Sequence, residues 1–241
     1  MVTYVKDLSG RFPQRPHYKP EELDHECEYL VTEFLRKRYG AARFPISTDD
    51  LTRLIEREAD SLDLYADLSQ LGSSVEGVTQ FVRGAKPRVS VSAALSENSR
   101  MENRLRTTLT HEYGHVHWHA YLVELFSGQG TLFDAQVPER VVCKRGTMID
   151  APQSDWMEWQ AGHVCGAILM PAGSVRRLLD AHVQKNGLVG AVGALSGHAR
   201  TMIQQVMEEF QVSEQAARVR LLRLKFITGG ESQGLLFEGA R

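Results

Sequence analysis

Four of the chain's nine histidines fall within nine consecutive residues, HEYGHVHWH, which run from His111 to His119. His111 and His115 are four residues apart, and Glu112 directly follows the first of them. On an α-helix this spacing places two side chains about 40° apart around the axis and ~6 Å apart along it, so both rings can bind one metal ion. Glu112 can then reach a water molecule on that ion, as the general base of zinc-dependent hydrolysis must. The pattern H-E-x-x-H therefore predicts His111 and His115 as metal ligands and Glu112 as the catalytic base.

The other two histidines of this stretch do not fit the same ion. On a regular helix His119 lies about 12 Å along the axis from His111, too far for one zinc ion whose bonds are about 2 Å long. We expect His119 either to hydrogen-bond a metal ligand or to pack between helices, and Arg106 is a second candidate for contacting a ligand. His117 faces elsewhere, on the surface or in the core.

Two histidines leave a zinc site incomplete, so a third ligand has to come from another part of the chain. The best candidate is Glu158, in the helical stretch DWMEWQAGHVCGAILMP. Small residues that allow close helix packing follow on the same face: Ala161, Gly162 and Cys165. The alternative for Glu158 is a solvated glutamate at a helix start, where the helix dipole favours negative charge. If Glu158 does not bind the metal, Asp150 and Asp155 are the next candidates.

Two stretches around these residues resemble signatures of the ImmA/IrrE family of bacterial zinc metallopeptidases. The first is NRLRTTLTHEYGHVHWH, which is similar to the family pattern R-x-R-F-T-x-A-H-E-x-G-H-x-x-L-H. The second is EWQAGHVCGAILMP, which is similar to E-x-x-A-N-x-F-A-A-x-L-L-M-P and aligns Glu158 with the family's glutamate ligand. A third stretch, FQVSEQAARVRLLRL, resembles F-x-V-S-x-x-A-x-x-x-R-L, so the resemblance covers roughly residues 20 to 226. The chain departs from the patterns, without losing a ligand, at Thr107, Thr110, Gly162 and Val164.

The resemblance implies a gluzincin-like zinc endopeptidase that holds one Zn²⁺ per chain through His111, His115 and Glu158, while Glu112 activates water. Family members often cleave a helix-turn-helix transcriptional repressor of the XRE type, which derepresses genes in a stress response or a mobile element. We expect a protein substrate of the same kind here. The group that would stabilise the oxyanion is one of three candidates: Tyr121, His182 and His198.

Two other functions fit the same residues. A DNA-binding regulator, or a toxin/antitoxin-type partner, could use the zinc peptidase fold for structure, sensing or partner binding. Glu112 would then be dispensable. A purely structural zinc site has no need of Glu112, and its presence therefore favours the enzyme.

The elements around these residues predict an α+β fold. Helix signals are complete from Pro20 to Gly40, with acidic residues in the first turn and basic residues in the last, and Ser47 can cap a second helix. A period of two between Leu62 and Leu68, and again in VTQFVRGAKPRVSVSA, predicts strands. These strands would form a small antiparallel sheet just before the helix that carries the histidines.

We predict four parts: an extended N-terminal arm (1–19), a zincin-like metallopeptidase domain (20–184), a helix-turn-helix-like helical region (185–228) and a flexible tail (229–241). Ser213 can cap the second helix of the third part. Its basic residues could make weak DNA contacts: Arg218, Arg220, Arg223 and Lys225. The formal net charge of −2 favours the alternative, a scaffold helix whose basic face is solvated.

Residues 129–154 of the zincin-like part show no clear period, and we expect a long loop there with a strand near Val137–Cys143. Cys143 could reach the open position of the zinc, or it could be an ordinary loop cysteine. An extended substrate would bind by main-chain hydrogen bonds to an edge formed by Val78–Val82 and Val89–Ala93. The predicted partner contacts within the loop are Glu139, Arg140, Lys144 and Arg145.

Composition predicts a cytoplasmic protein without a membrane segment. The N-terminal stretch lacks the apolar region of a signal peptide, and no apolar run approaches the roughly 18 residues of a membrane span. The cysteines are odd in number and have no C-x-x-C spacing, which does not predict a disulfide framework: Cys27, Cys143 and Cys165.

Overall fold

The computed structural model describes residues 3–127, 140–144, 148 and 151–229 of the chain. The helices are α1 (Pro20–Tyr39), α2 (Thr48–Glu58), α3 (Ala93–Ser96), α4 (Glu102–Ser127), α5 (Trp156–Leu169), α6 (Ala172–Lys185), α7 (Gly197–Phe210) and α8 (Glu214–Arg223). The strands are β1 (Thr3–Lys6), β2 (Gln14–His17), β3 (Ser61–Ala66), β4 (Val75–Gln80), β5 (Arg88–Ser92), β6 (Arg140–Lys144), β7 (Val192–Gly193) and β8 (Ile227–Thr228). Helices make up more than half of the structure and the strands form small sheets, which confirms the predicted α+β class.

The first helix begins and ends, and the second begins, where their local signals predict. Pro20 opens α1, and Gly40 ends it in the left-handed conformation with a φ of 77°. At the start of α2, the Ser47 side chain accepts a hydrogen bond from the Asp50 backbone amide. These contacts satisfy backbone groups that a helix end leaves unpaired. Both helices then bury their apolar faces in the main core.

Four strands form one sheet in the order β3-β5-β4-β6. β4 is antiparallel to β5 and to β6, but β3 is parallel to β5, so the predicted wholly antiparallel sheet is wrong in that pairing. The prediction of a substrate-binding edge at Val78–Val82 and Val89–Ala93 is also wrong. Those segments lie in β4 and β5, which are interior strands, because β6 pairs with the open side of β4. The alternation of apolar residues identifies a strand but does not give its neighbours.

The N-terminal segment is a two-stranded antiparallel hairpin, β1 and β2, and not a separate arm. The loop between its strands packs on the start of α5. Phe12 lies against Trp156 with ring centroids 6.2 Å apart, and the Trp156 indole N–H donates to Asp7 at 3.1 Å. Arg11 forms an ion pair with Asp155 at 2.5 Å. Buried apolar and polar contacts therefore fix this segment to the helix that carries Glu158.

The helices on both sides of the predicted domain boundary at residue 184 share one hydrophobic core. Buried side chains of α1, α4, α5, α7 and α8 belong to a single cluster. α4 and α5 approach closely at Gly114, where an added Cβ would lie 3.0 Å from the Ala161 Cα atom. The C-terminal helices are thus packed against the helices that carry the predicted metal ligands.

The basic residues of α8 are held by the protein itself. Arg220 is 1% exposed and forms an ion pair with Asp24 of α1 at 2.6 Å. Arg223 donates to a backbone carbonyl of α5, and Arg218 pairs with an acidic residue of its own helix. The predictions that Arg220 contacts DNA or lies on a solvated face are both wrong, because Arg220 is buried, pairs with Asp24 and donates to the Met170 carbonyl. Lys225 follows the helix and is exposed.

Most of the predicted loop 129–154 lies outside the described residues, as do Glu139, Arg145 and Asp150. The described part of that loop includes β6, which begins at Arg140 and ends at Lys144 and overlaps the strand predicted near Val137–Cys143. The predicted tail also lies outside, apart from its first residue. Within the described part of the chain, no helix combines the length and the apolar character needed to cross a membrane.

Candidate metal centre

α4 and α5 bring the three predicted ligands to one point. His111 and His115 lie one turn apart on α4, and Glu158 lies in the first turn of α5. The His111 Nε2 atom lies 3.2 Å from His115 Nε2 and 3.2 Å from Glu158 Oε2. His115 Nε2 lies 3.2 Å from the other Glu158 oxygen, Oε1. One ligand atom from each residue therefore lies within 4.8 Å of the others, and this buried group could bind a metal ion.

The spacing and the surroundings of these atoms fit a small cation. Ligand atoms about 2.0–2.1 Å from a tetrahedral centre lie ~3.3 Å from one another. The two Nε2 atoms lie 3.2 Å apart, and each lies 3.2 Å from one oxygen of Glu158, with a different oxygen for each ring. Glu158 Oε1 and Glu112 Oε1 are buried and have no hydrogen-bond partner among the described residues. Burying a charged oxygen without a partner is costly, and a cation with its bound water would satisfy both atoms.

Both histidine rings are held from the side opposite their ligand atoms. His111 Nδ1 donates to the Met148 carbonyl at 3.0 Å, because a carbonyl can only accept. His115 Nδ1 lies 2.9 Å from His119 Nδ1. Burial lowers the pKa of His119 well below its ordinary value, and the neighbouring His115 lowers it further, so the His119 ring is neutral. The helix spacing that makes His119 too distant to bind the same ion as His111 places its ring next to the Nδ1 atom of His115.

Strand β4 fixes Glu112 and leaves one of its carboxylate oxygens free. The Thr79 hydroxyl donates to Glu112 Oε2 at 2.5 Å, whereas Oε1 accepts no hydrogen bond from a described nitrogen or oxygen atom. The Cys143 thiol of β6 lies near the same carboxylate. Burial raises the pKa of Glu112 above its ordinary value, although His115 and His111 oppose this. Gly77 of β4 leaves the space that the carboxylate occupies, because an added Cβ would overlap Oε1. The free oxygen is therefore available to a water molecule beside the ligand atoms.

Glu158 and His111 shift each other's pKa in opposite directions. Burial on its own raises the pKa of Glu158, but His115 and His111 outweigh it, and the pKa lies below its ordinary value. Burial on its own lowers the pKa of His111, but Glu158 outweighs it, and the pKa is raised. Because a metal ion and a proton compete for the same ring nitrogen, metal affinity should fall at acidic pH.

The side chains of the centre are buried, and Cys143 of β6 lies close to Glu112. His111, Glu112 and His115 are 0% exposed, and Glu158 is 6% exposed. Cys143 of β6 pairs with Gly77 of β4 and is itself buried, on the strand face that meets the centre. Burial raises the pKa of the Cys143 thiol, and the charges of Glu112 and Glu158 raise it further, so the thiol is neutral in this arrangement.

The remaining predicted site residues make their contacts elsewhere. The Tyr4 hydroxyl donates to the Tyr121 hydroxyl at 3.2 Å, and the rings of His182 and His198 face each other with 3.4 Å between nitrogen atoms. The Arg106 guanidinium donates to three backbone carbonyls, one before α2 and two at the end of α7. None of their described contacts is with a ligand atom. The structure therefore does not bring the three oxyanion candidates to the centre, and Arg106 joins helices and does not support a ligand.

Several residues of the centre were not found by sequence reasoning, namely Gly77, Thr79, Met148 and Gln160. A glycine within a strand indicates a close approach of another group, so Gly77 carried a signal. Thr79 and Met148 carried none, because their roles depend on strand pairing and on a backbone carbonyl. Gln160 lies two residues beyond Glu158, a spacing that does not place two side chains on one helix face.

Comparison with known proteins does not assign this chain to a family. No protein-family model matches the chain, and no curated protein is significantly similar to it. The chemistry of the centre therefore has to be inferred from its own side chains.

Proposed function

We propose that this protein is a gluzincin-like zinc endopeptidase, with a zincin-like catalytic domain built around the four-stranded sheet, α4 and α5. One observation carries the proposal: the buried side chains of His111, His115 and Glu158 each bring one ligand atom within 4.8 Å of the others, and the buried Glu112 directly follows His111. Catalytic zinc usually has three protein ligands and one open position, whereas structural zinc has four protein ligands. A structural site would have no use for the buried Glu112 carboxylate.

The residues around the triad have distinct roles in this proposal. When bound, zinc would supply Lewis acidity to a peptide carbonyl and to water. Glu112 accepts the proton of the attacking water through Oε1 and returns it to the departing amine, while Thr79 holds Oε2 in place. The raised pKa of Glu112 suits a group that must first accept a proton and then give it up.

We further propose that the substrate is a helix-turn-helix repressor of the XRE type, cut at one site in the cytoplasm. The cut would derepress genes of a stress response or a mobile element. Support comes from the resemblance of the two stretches around Glu112 and Glu158 to the ImmA/IrrE signatures. The burial of His111, Glu112 and His115 also favours a selective peptidase, because an unselective one would need these side chains to be openly accessible. The three free cysteines are compatible with a reducing compartment.

A regulator that binds a partner without cleaving it is the second candidate. The full burial of His111, Glu112 and His115 is the observation that favours it, since a site used only for sensing or stability needs no access for a peptide. The burial of Arg220 makes direct DNA reading by α8 the weaker form of this candidate.

The test is to incubate the zinc-loaded protein with candidate XRE-type repressors from the same organism, and to compare wild type with Glu112→Gln. Wild type should produce one cut that chelation abolishes and added zinc restores. Glu112→Gln should bind zinc and lose cleavage by orders of magnitude, whereas Glu124→Gln on the exposed side of α4 should cleave normally. Normal cleavage by Glu112→Gln would contradict the mechanism. Repressor control that survives without cleavage would favour the second candidate.

A further inference from the structure

A chain of buried hydrogen bonds runs from the ligand His115 to the N-terminal hairpin. His115 Nδ1 lies 2.9 Å from His119 Nδ1, and His119 Nε2 lies 3.1 Å from Gln160 Oε1. The Gln160 amide nitrogen then donates to the Pro16 carbonyl in β2 at 3.0 Å. His115 and His119 are 0% exposed and Gln160 is 1% exposed, so water does not compete for these contacts.

The Pro16 carbonyl, the last acceptor in this series, determines which group donates in each of the hydrogen bonds. The Pro16 carbonyl can only accept, so Gln160 must present its NH₂ group there and its oxygen to His119. The opposite amide orientation would place two acceptors 3.0 Å apart. Because Gln160 Oε1 also can only accept, His119 carries its proton on Nε2 and uses Nδ1 as an acceptor. The proton between the two rings therefore belongs to His115 Nδ1, and His115 Nε2 keeps its lone pair.

We propose that His119 and Gln160 are positioning residues that hold His115 as the Nδ1-protonated tautomer, with Nε2 directed to the metal. This inference rests on the proposed metal site. It also gives the β1–β2 hairpin a role in the centre, because the Pro16 carbonyl of the hairpin fixes the orientation of Gln160 and, through it, the tautomers of His119 and His115.

The surroundings of His119 prevent the ring from turning out of this arrangement. The His119 ring meets the Trp156 ring edge-on, with centroids 5.4 Å apart and an angle of 87° between the planes. The Trp156 indole in turn donates to Asp7 in the loop of the hairpin. The hairpin thus holds His119 at two points, through Gln160 and through Trp156.

The other histidine ligand is oriented more simply. His111 Nδ1 donates directly to the Met148 carbonyl, so one backbone group sets its tautomer. For His115 the same task needs two intervening side chains, and each of them can be substituted. His115 is therefore the ligand at which the inference can be tested.

The first test measures zinc affinity by competition with a chromophoric chelator. His119→Phe fills the ring volume without an acceptor, and Gln160→Leu releases His119 to adopt the opposite tautomer. Each should lower zinc affinity by roughly 10- to 100-fold, the usual effect of losing a group that orients a metal ligand. His119→Gln restores an acceptor and should retain more of the affinity than His119→Phe.

His163→Phe is the matched control, because His163 is an equally buried histidine of α5. It pairs with Asp24 and takes no part in the hydrogen bonds that connect His115 to Pro16. It should reduce stability and leave zinc affinity unchanged. Unchanged affinity in both His119→Phe and Gln160→Leu would overturn the inference.

The second test needs no variant. Nitrogen chemical shifts of the histidine rings in zinc-loaded wild type should show His119 protonated at Nε2 and His115 protonated at Nδ1. A proton on His119 Nδ1 would overturn the inference even if the variants failed to fold. A wild-type protein that binds no zinc would instead refute the proposed function itself, so the two failures are distinguishable.

Discussion

Each of the three proposed metal ligands can be tested by its own substitution. Wild type should contain one zinc per chain, and His111→Ala or His115→Ala should abolish binding because each removes a nitrogen of the triad. Glu158→Ala should weaken binding severely, since two histidines alone form an incomplete site. Asp155 cannot readily replace Glu158, because Arg11 holds it in an ion pair. Zinc content after dialysis measures the result. If Glu158→Ala still bound one zinc ion tightly, the assignment of Glu158 as the third ligand would be wrong.

The hydroxyl of Thr79 provides a second prediction for a single side chain. Thr79→Val keeps the shape of the residue but removes the hydrogen bond that holds Glu112 Oε2. A hydrogen bond to a charged group contributes ~1.5–3 kcal/mol, so the cleavage rate should fall roughly 10- to 100-fold while zinc affinity stays the same. Thr79→Ser should recover most of the rate. Equal rates for the valine variant and wild type, at equal zinc occupancy, would remove Thr79 from the mechanism.

Three helices are joined by one buried charge cluster, formed by Asp24 of α1, His163 of α5 and Arg220 of α8. Burial raises the pKa of Asp24, but the hydrogen bond from His163 and the charge of Arg220 outweigh it and lower the pKa from 3.8 to about 2. The folded-state pKa lies below the unfolded one, so this contribution to stability is present above about pH 4 and is lost as the pH falls towards 2. Its size is on the order of 2 kcal/mol.

Substitution of Asp24 should therefore be much more harmful than substitution of a surface partner. Asp24→Asn leaves Arg220 buried without its counter-charge, which should lower the free energy of unfolding by about 3–5 kcal/mol. Asp49→Asn, which breaks exposed pairs with Arg38 and Arg53, should cost less than about 1 kcal/mol. Urea denaturation at neutral pH, repeated near pH 3, measures both effects. A neutral-pH cost for Asp24→Asn as small as that for Asp49→Asn would contradict the role of the cluster.

Elements whose signals are local could be predicted from the sequence, and those set by distant partners could not. Pro20, Gly40 and Ser47 act within one turn, and they mark the ends of α1 and the start of α2 correctly. Arg220 depends on an aspartate 196 residues earlier, and no periodicity could reveal that pairing. The same division applies to the centre. The spacing of His111 and His115 was enough to predict both as ligands. Glu158 could be chosen as the third ligand only with the help of the family resemblance, and the role of Thr79 could be seen only in the folded structure.

Strand β6 places Cys143 close to Glu112 of the centre. A thiol there could in principle bind the metal and block activity in response to oxidants, which we call a thiol switch. The thiol is buried and neutral, and oxidants and metals react with the thiolate form. We therefore expect oxidant to leave zinc content and cleavage unchanged in both wild type and Cys143→Ser. Brief peroxide treatment followed by both assays tests this. An oxidant-dependent loss in wild type that is absent from Cys143→Ser would establish the switch instead.

The arrangement of the whole molecule limits which substrates can reach the centre. β6 already pairs with β4, so an extended peptide cannot add to that strand while β6 remains in place. The side chains of His111, Glu112 and His115 are also 0% exposed. A substrate must either displace β6 through contacts of its own or bind against another surface. Both routes require specific recognition, which a random unfolded chain does not provide.

We therefore predict narrow specificity, with one cut in one partner and little activity on casein. The segment before β6 should contribute to recognition, so deleting part of residues 129–138 while retaining β6 should reduce cleavage of the repressor. Zinc content must stay at the wild-type level in the shortened protein, because its ligands lie on α4 and α5. Gel assays of both substrates with both proteins provide the comparison. Vigorous casein digestion by the intact enzyme would refute narrow specificity, and undiminished repressor cleavage by the shortened form would exclude a role for the segment.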